Sequence, residues 1–218
     1  MATLNRRPIK TRDASWAQSV ARKLTRAGVS PNAVSISGVG FALAGFAAFF
    51  WAGRTGGWPS SVGFLLAALS IQGRLLCNLF DGMIAVEGGR QSKSGELFND
   101  FPDRLSDSLL LIGAGYAVQL PGGNVLGWLA ALAAVLTAYA RLLGGSCGLK
   151  QRFSGPMAKQ HRMALLTAAA VCSIPEAGFF GPFRGWVLLT ALAVIAAGSF
   201  FTTARRLRNV FLELESRP

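Results

Sequence analysis

Charged side chains are scarce in this sequence, and acidic ones are the scarcest. Only 15% of the 218 residues are charged, with ten acidic residues against 22 basic ones. Soluble globular domains carry about 25% charged residues, so the composition excludes an ordinary soluble domain. Hydrophobic residues make up 51% of the chain and fall in long runs, which is typical of a polytopic helical membrane protein.

Cysteine and the common nucleotide and zinc motifs are also rare or missing. Cys77, Cys147 and Cys172 are far apart and odd in number, which excludes a disulfide framework and a C-x-x-C zinc site. The sequence contains no P-loop, no H-E-x-x-H and no Rossmann fingerprint. The first thirty residues hold no apolar h-region, so we expect no cleavable signal peptide.

Six hydrophobic segments are separated by Gly- and Pro-rich breaks. They cover about 32–52, 60–86, 94–119, 124–143, 157–174 and 184–204. Each is long enough to cross about 30 Å of hydrocarbon at about 1.5 Å per residue. Ser30-Pro31 is a helix start, with Ser as the N-cap and Pro at the first helical position. The sequence thus predicts an all-α integral membrane protein with six transmembrane helices.

An amphipathic helix is predicted before the first span. Over residues 13–27, Trp16 and Leu24 fall on one arc while Arg22 and Arg26 lie opposite. This pattern indicates an interfacial helix on the membrane surface, and a solvated basic helix is the alternative. We expect a basic arm and this helix over 1–30, a six-helix membrane domain over 31–204 and a basic cytoplasmic tail over 205–218.

The positions of the basic residues predict the orientation. Seven Lys and Arg precede the first span, two lie between spans two and three, four lie between the end of span four and the first turns of span five, and four follow span six. Only Arg54 and Arg184 fall on the other side. The positive-inside rule then puts both termini in the cytoplasm, most simply at a bacterial inner membrane. Because the basic residues bracket apolar spans, the net charge of +12 indicates anionic lipid rather than nucleic acid as the partner.

The stretch Asn78–Asp107 holds six of the ten acidic residues. Asn78 and Asp81 share one face at the end of span two, and Asn99, Asp103 and Asp107 share one face of span three. A short loop joins the two spans, so we expect antiparallel neighbours whose polar faces meet. Such a cluster of hard oxygen ligands suits Mg²⁺ or Mn²⁺. The alternative is an ion-paired polar seam in which Arg74 and Arg104 neutralise the acids.

This stretch resembles a family motif. N-x-x-D-G-x-x-A-x9-G-x3-N-x3-D is similar to D-x-x-D-G-x-x-A-R-x8-G-x3-D-x3-D of the CDP-alcohol phosphotransferases. V-S-P-N at residues 29–32 and Y-A-R at residues 139–141 resemble two further family features. The motif positions that match with every spacing intact are Asp81, Gly82, Ala85, Gly95 and Asp103.

The resemblance implies an enzyme that transfers a phospho-alcohol group from a CDP-alcohol, such as CDP-diacylglycerol, to an alcohol acceptor with release of CMP. It implies two divalent metals between spans two and three, a homodimer, and Asp103 as the general base. The expected metal ligands are Asp81, Asn78, Asn99 and Asp103, with Asp107 added because it lies one turn beyond Asp103. The expected nucleotide-binding residues are Gly82, Ala85, Arg90 and Gly95.

The motif departs from the family pattern at Asn78, Asn99 and Val86, which stand where the family has Asp, Asp and Arg. The loss of two negative charges should weaken or remove at least one metal, while Arg90 would replace the missing Arg. A second hypothesis is therefore a catalytically weakened homologue that binds a nucleotide lipid or regulates a partner. A third is a small cation transporter that uses the polar seam as its path.

Three basic residues on the cytoplasmic side are candidates for binding the acceptor. Arg141 ends span four, and Lys159 and Arg162 begin span five. Members of the resembling family that use phosphate-bearing acceptors have basic residues in this region. The alternative is that these side chains only reflect the positive-inside topology.

Overall fold

The described part of the chain is entirely helical apart from its connections. The structure is a computed structural model and describes residues 14–87, 95–151, 153–179 and 182–217. Arg90 and the basic arm before residue 14 lie outside these ranges. The helices are α1 (Ser15–Arg26), α2 (Pro31–Ala52), α3 (Gly57–Glu87), α4 (Gly95–Ala117), α5 (Gly123–Ser146), α6 (Lys159–Phe179) and α7 (Trp186–Glu215).

Four of these helices are long and apolar enough to cross a membrane: α2, α3, α5 and α7. The other two predicted spans also form as helices, with 23 residues in α4 and 21 in α6. Their charged side chains lower their hydropathy: Asp103 and Asp107 lie in α4, and Lys159 and Arg162 in α6. The structure therefore supports a multi-pass all-α protein, and the crossing of α4 and α6 stays a prediction.

The start of α2 follows the predicted capping chemistry. Ser30 Oγ accepts a hydrogen bond from the Ala33 backbone N–H at 3.2 Å, and Pro31 occupies the first helical position. This cap satisfies one of the free backbone N–H groups at the helix start. It fixes the first turn of α2, which carries Ser35 into the site described below.

The helices pack around one apolar core, and α2 is central to it. α2 packs along both α3 and α4, α5 packs against α4 and α7, and α6 packs against α3. The helices α3 and α4, predicted to be neighbours, contact each other much less than each contacts α2. α4 and α5 approach closely, since a Cβ on Gly115 would lie 2.7 Å from Gly127 Cα. Small residues commonly permit such close helix contacts in membranes.

The amphipathic helix α1 packs on the protein as well as presenting a polar face. Ala17 and Ala21 are buried against Leu79 and Met83 of α3. The ring of Trp16 meets Phe80 edge-on, with the centroids 6.2 Å apart. Part of the predicted apolar arc is thus covered by α3, next to the acidic stretch.

Candidate active site

A cleft opens where the polar ends of α2, α3 and α4 meet. Its space of about 200 Å³ is partly open to solvent. Its lining residues are Ser35, Gly38, Arg74, Cys77, Asn78, Asp81, Asn99, Pro102, Asp103 and Ser106. The cleft therefore brings together four of the five predicted metal-binding residues, from the consecutive helices α3 and α4.

Asp81 presents an unpartnered oxygen inside this cleft. The residue is 5% exposed, and its Oδ2 accepts a hydrogen bond from Ser35 Oγ at 2.6 Å. Its Oδ1 is buried and has no donor in good geometry among the described residues. Leaving a buried carboxylate oxygen unsatisfied is costly, so this atom is suited to a cation or a ligand donor.

Asp103 is held by donors on several sides. Its Oδ1 accepts from Arg74 Nη2 at 2.9 Å and from Asn78 Nδ2 at 3.0 Å. Its Oδ2 contacts Lys159 Nζ, and Arg104 Nη2 lies 3.6 Å away. Asn78 is here a donor to a carboxylate, which an aspartate at this position would not be.

Lys159 reaches the cleft from the first residue of α6. Besides Asp103, its Nζ donates to Asn78 Oδ1 at 3.0 Å. The sequence interpretation associated Lys159 with the acceptor through its position in a basic loop. The structure instead brings it to the predicted metal-binding side chains of α3 and α4.

Asp107 belongs to a buried ion network and not to the cleft lining. Its Oδ1 pairs with Arg74 Nη2 at 2.6 Å and its Oδ2 with Arg162 Nη2 at 3.3 Å. Arg162 also donates to Thr137 Oγ1 at 3.1 Å and to the Met157 carbonyl at 2.9 Å. Both oxygens of Asp107 are thus engaged, and the predicted role as a metal ligand does not fit this arrangement. The alternative of an ion-paired seam describes this end of the site.

Arg162 is equally unsuited to its predicted role in acceptor binding. It is 1% exposed, and its guanidinium is directed to Asp107 and Thr137. An arginine enclosed in this way is positioned to hold α6 against α4 and α5. The buried pair requires both partners, because removing one leaves an uncompensated charge.

The remaining predicted residues lie at the edge of the cleft or outside its lining. Asn99 is exposed and lines the rim. Gly82, Ala85 and Gly95 are partly buried but do not line the cleft. Across the described residues no group of three or more His, Cys, Asp or Glu is placed to hold a metal. A cation here would thus depend on amide oxygens as well as carboxylates.

A second, basic cleft lies between α5, the α5–α6 connection and α7. Its lining includes Arg141, Lys150, Arg206 and Glu213, and its space of about 300 Å³ is partly open to solvent. Arg141 donates to Gln151 Oε1 at 2.7 Å and pairs with Asp100 of α4. Its guanidinium carbon also lies 5.0 Å from the centre of the Phe153 ring. Arg141 therefore links this cleft to α4 at Asp100, the residue that follows Asn99 of the motif.

Two residues of the site were missed in the sequence. Ser35 orients Asp81, and its signal was its place one turn after Pro31 at the capped start of α2. Arg206 lines the basic cleft and donates to the backbone carbonyls of Thr137, Phe153 and Ser154. In the sequence it is indistinguishable from the other tail cations that set the topology.

No protein-family model matches the chain. Several individual proteins are nevertheless similar to it in sequence. Phosphatidylinositol phosphate synthase of Streptomyces avermitilis is 27% identical over 194 residues, which cover 86% of this chain and 74% of the relative. The Mycolicibacterium smegmatis protein of the same name is 24% identical over 196 residues, covering 88% and 82%.

Solved structures share the fold. Mycobacterium tuberculosis phosphatidylinositol phosphate synthase with CDP-DAG bound superposes with a TM-score of 0.72 at 22% identity, covering 91% of this chain and 94% of that one. The same enzyme in complex with manganese and citrate gives a TM-score of 0.72, covering 89% and 88%. The chain is thus similar in sequence to these CDP-alcohol phosphotransferases and has the helical fold of the solved structures.

The buried network predicts a stability effect at Arg74. Arg74→Met would leave Asp103 and Asp107 with fewer cations, and breaking a buried pair costs about 3–5 kcal/mol. For a chain of this size we expect the apparent Tm in detergent to fall by at least about 6 °C. The matched control is Arg208→Met, because Arg208 is exposed on α7. Equal melting of the two variants would contradict a structural role for Arg74.

Proposed function

We propose that this chain is an integral membrane transferase that moves the phosphatidyl group of CDP-diacylglycerol onto the hydroxyl of an alcohol acceptor and releases CMP. The observation that carries the proposal is the unpartnered Asp81 Oδ1 in a cleft that also holds Asp103 of the same motif. The names of the relatives support a product of the phosphatidyl class. The structural relative with CDP-DAG bound supports the donor.

The cleft fits a divalent cation at the Asp81 end. Asp81 Oδ1 and the side-chain oxygen of Asn99 would hold it, and hard oxygen donors suit Mg²⁺ or Mn²⁺. The manganese complex of the M. tuberculosis enzyme agrees with this choice of metal. A bound cation would offset the negative charge of the pyrophosphate and polarise its oxygens.

The chain's own side chains can account for the proton transfer. In the proposed step the acceptor oxygen bonds to the phosphorus that carries diacylglycerol, and the bond from that phosphorus to the oxygen of CMP breaks. The hydroxyl proton passes to Asp103. A carboxylate has about four acceptor positions, and three of those on Asp103 are used by Arg74, Asn78 and Lys159. Its Oδ2 therefore keeps one position for the acceptor hydroxyl.

The acceptor that we propose carries a phosphate. The relatives are named for phosphatidylinositol phosphate, so an inositol phosphate is the first acceptor to test. Arg141, Lys150 and Arg206 line a cleft whose cationic groups suit a phosphate. Because Arg162 is buried and Lys159 contacts Asn78 and Asp103 of the other cleft, Arg141 is the one predicted acceptor residue that this geometry supports.

The membrane arrangement is part of the proposal. We propose that α4 and α6 cross the bilayer with α2, α3, α5 and α7, and that both termini and both clefts face the cytoplasm. The excess of Lys and Arg on one side supports this orientation. The homodimer expected from the family resemblance stays a prediction, which light scattering in detergent would test.

A catalytically weakened homologue remains the second candidate function. Its supporting observation is that Lys159 and Asn78 occupy donor and acceptor positions around Asp103. A protein that binds the CDP-lipid without turning it over would keep the cleft and the fold. Measurement of CMP release separates the two functions.

The purified protein is expected to release CMP from CDP-diacylglycerol when an inositol phosphate and Mn²⁺ or Mg²⁺ are present. Asp103→Asn should slow this release by about 10²-fold or more, because the proton acceptor is lost. Asp81→Asn should abolish the response to the metal. Glu215→Gln is the control, since Glu215 is exposed at the end of α7. No release with any acceptor, or an unimpaired Asp103→Asn enzyme, would favour the binding homologue.

The lining of the second cleft predicts that a substitution of Arg141 changes the KM for the acceptor selectively. Arg141→Gln should raise the KM for a phosphorylated acceptor about tenfold or more, because a charge-assisted hydrogen bond is lost. The KM for CDP-diacylglycerol should change little. Arg205→Gln, at an exposed position of α7, is the control. A rise in the donor KM alone would mean that Arg141 serves the nucleotide and not the acceptor.

Reporter fusions test the proposed topology. A fluorescent protein fused after residue 218 should fluoresce in a bacterial host, since it folds in the cytoplasm. An alkaline phosphatase fused after Gly122, between α4 and α5, should be active because that connection faces the opposite side. An inactive phosphatase at Gly122 together with a fluorescent C-terminal fusion would show that α4 does not cross.

A further inference from the structure

Lys159 and the two motif asparagines have a joint explanation. We propose that the Lys159 ammonium is a built-in cation between Asn78 and Asp103, and that the cleft consequently binds a single divalent ion, at Asp81. This inference rests on the proposed function, because it concerns the metal requirement of the same site. It assigns Lys159 to charge compensation instead of acceptor binding.

The contacts of Lys159 support a fixed position. Its side chain is 10% exposed, and its Nζ contacts Asp103 Oδ2 and donates to Asn78 Oδ1 at 3.0 Å. One turn further along α6, Arg162 is anchored to Asp107 and to the Met157 carbonyl. The start of α6 is thus held in place, and the ammonium is held with it.

The amide at position 78 matches this ammonium. Its Oδ1 accepts from Lys159 while its Nδ2 donates to Asp103 Oδ1 at 3.0 Å. An aspartate could accept from Lys159 but could not donate to Asp103, and it would place a second carboxylate beside the first. Asparagine at 78 therefore fits a site that already holds a lysine, and not one that needs more negative charge.

The charge around Asp103 disfavours a divalent ion there. Arg74, Arg104 and Lys159 all lie within 4 Å of its carboxylate. A dication at Asp103 would meet three like charges at short range in a poorly screened site. Asp81 is different, because its described side-chain partner is the neutral Ser35, its buried Oδ1 accepts no side-chain hydrogen bond, and no cation of the described residues forms an ion pair with it.

The inference is tested by counting bound Mn²⁺ on the full-length protein in detergent, by equilibrium dialysis and by the loss of the free Mn²⁺ electron-paramagnetic-resonance signal. The wild-type chain is expected to bind one Mn²⁺, and Asp81→Asn to weaken binding at least tenfold. The double variant Asn78→Asp/Lys159→Met should bind two. Lys23→Met is the control, since Lys23 is exposed on α1.

Two Mn²⁺ per wild-type chain, or one in a folded double variant, would overturn the inference. Should the double variant fail to fold, Lys159→Gln and Asn78→Asp are measured singly. Lys159→Gln should keep one ion with unchanged affinity at Asp81, and an affinity loss equal to that of Asp81→Asn would also overturn it.

The experiments distinguish failure of this inference from failure of the proposed function. Two bound ions with CMP release would reject the built-in cation and keep the transferase. One bound ion without CMP release from any acceptor would keep the single-ion site and reject the transferase.

Discussion

The buried pairing of Arg74 with Asp103 and Asp107 is the interaction on which the site depends. One guanidinium from α3 reaches two carboxylates of α4 that are one turn apart. Asp107 then joins α6 through Arg162. These links tie three helices together at the polar end of the bundle, where apolar packing alone would not fix their register. These ion pairs lie on the inner side of the cleft and stabilise its shape.

The same network explains how a helical membrane bundle can hold ionisable groups at all. Charged side chains in a bilayer are costly unless they face the bundle interior and pair with one another. Asp100, Asp103 and Asp107 of α4 and Lys159 and Arg162 of α6 each have a partner from another helix. Asp81 differs from the other carboxylates at this end of the bundle, because its described side-chain partner is the neutral Ser35 and its buried Oδ1 has no hydrogen-bond partner among the described residues.

The helices and the location of the site could be predicted from the sequence, and the roles of individual residues could be predicted only in part. Hydrophobic runs and the Ser30-Pro31 cap gave α2, α3, α5 and α7 close to their observed positions. Helical spacing placed Asn78, Asp81 and Asp103 together. The same spacing put Asp107 with them, because periodicity along one helix does not reveal a buried arginine on another. The inward contacts of Lys159 and Arg162 could not be predicted for a similar reason, since a cation after a loop is equally consistent with solvent exposure and with a contact inside the bundle.

The two-sided hydrogen bonding of Asn78 has an evolutionary consequence. Its amide satisfies a lysine through one atom and a carboxylate through the other, so positions 78 and 159 are coupled in sequence space. A change to aspartate at 78 alone loses the donor to Asp103, and a loss of the lysine alone leaves an amide oxygen and a carboxylate oxygen without their partner. A lineage that exchanges this site for one with a full set of motif aspartates, one substitution at a time, therefore passes through an intermediate with fewer satisfied polar groups than either end state. Related sequences should carry the two residues together or lack both.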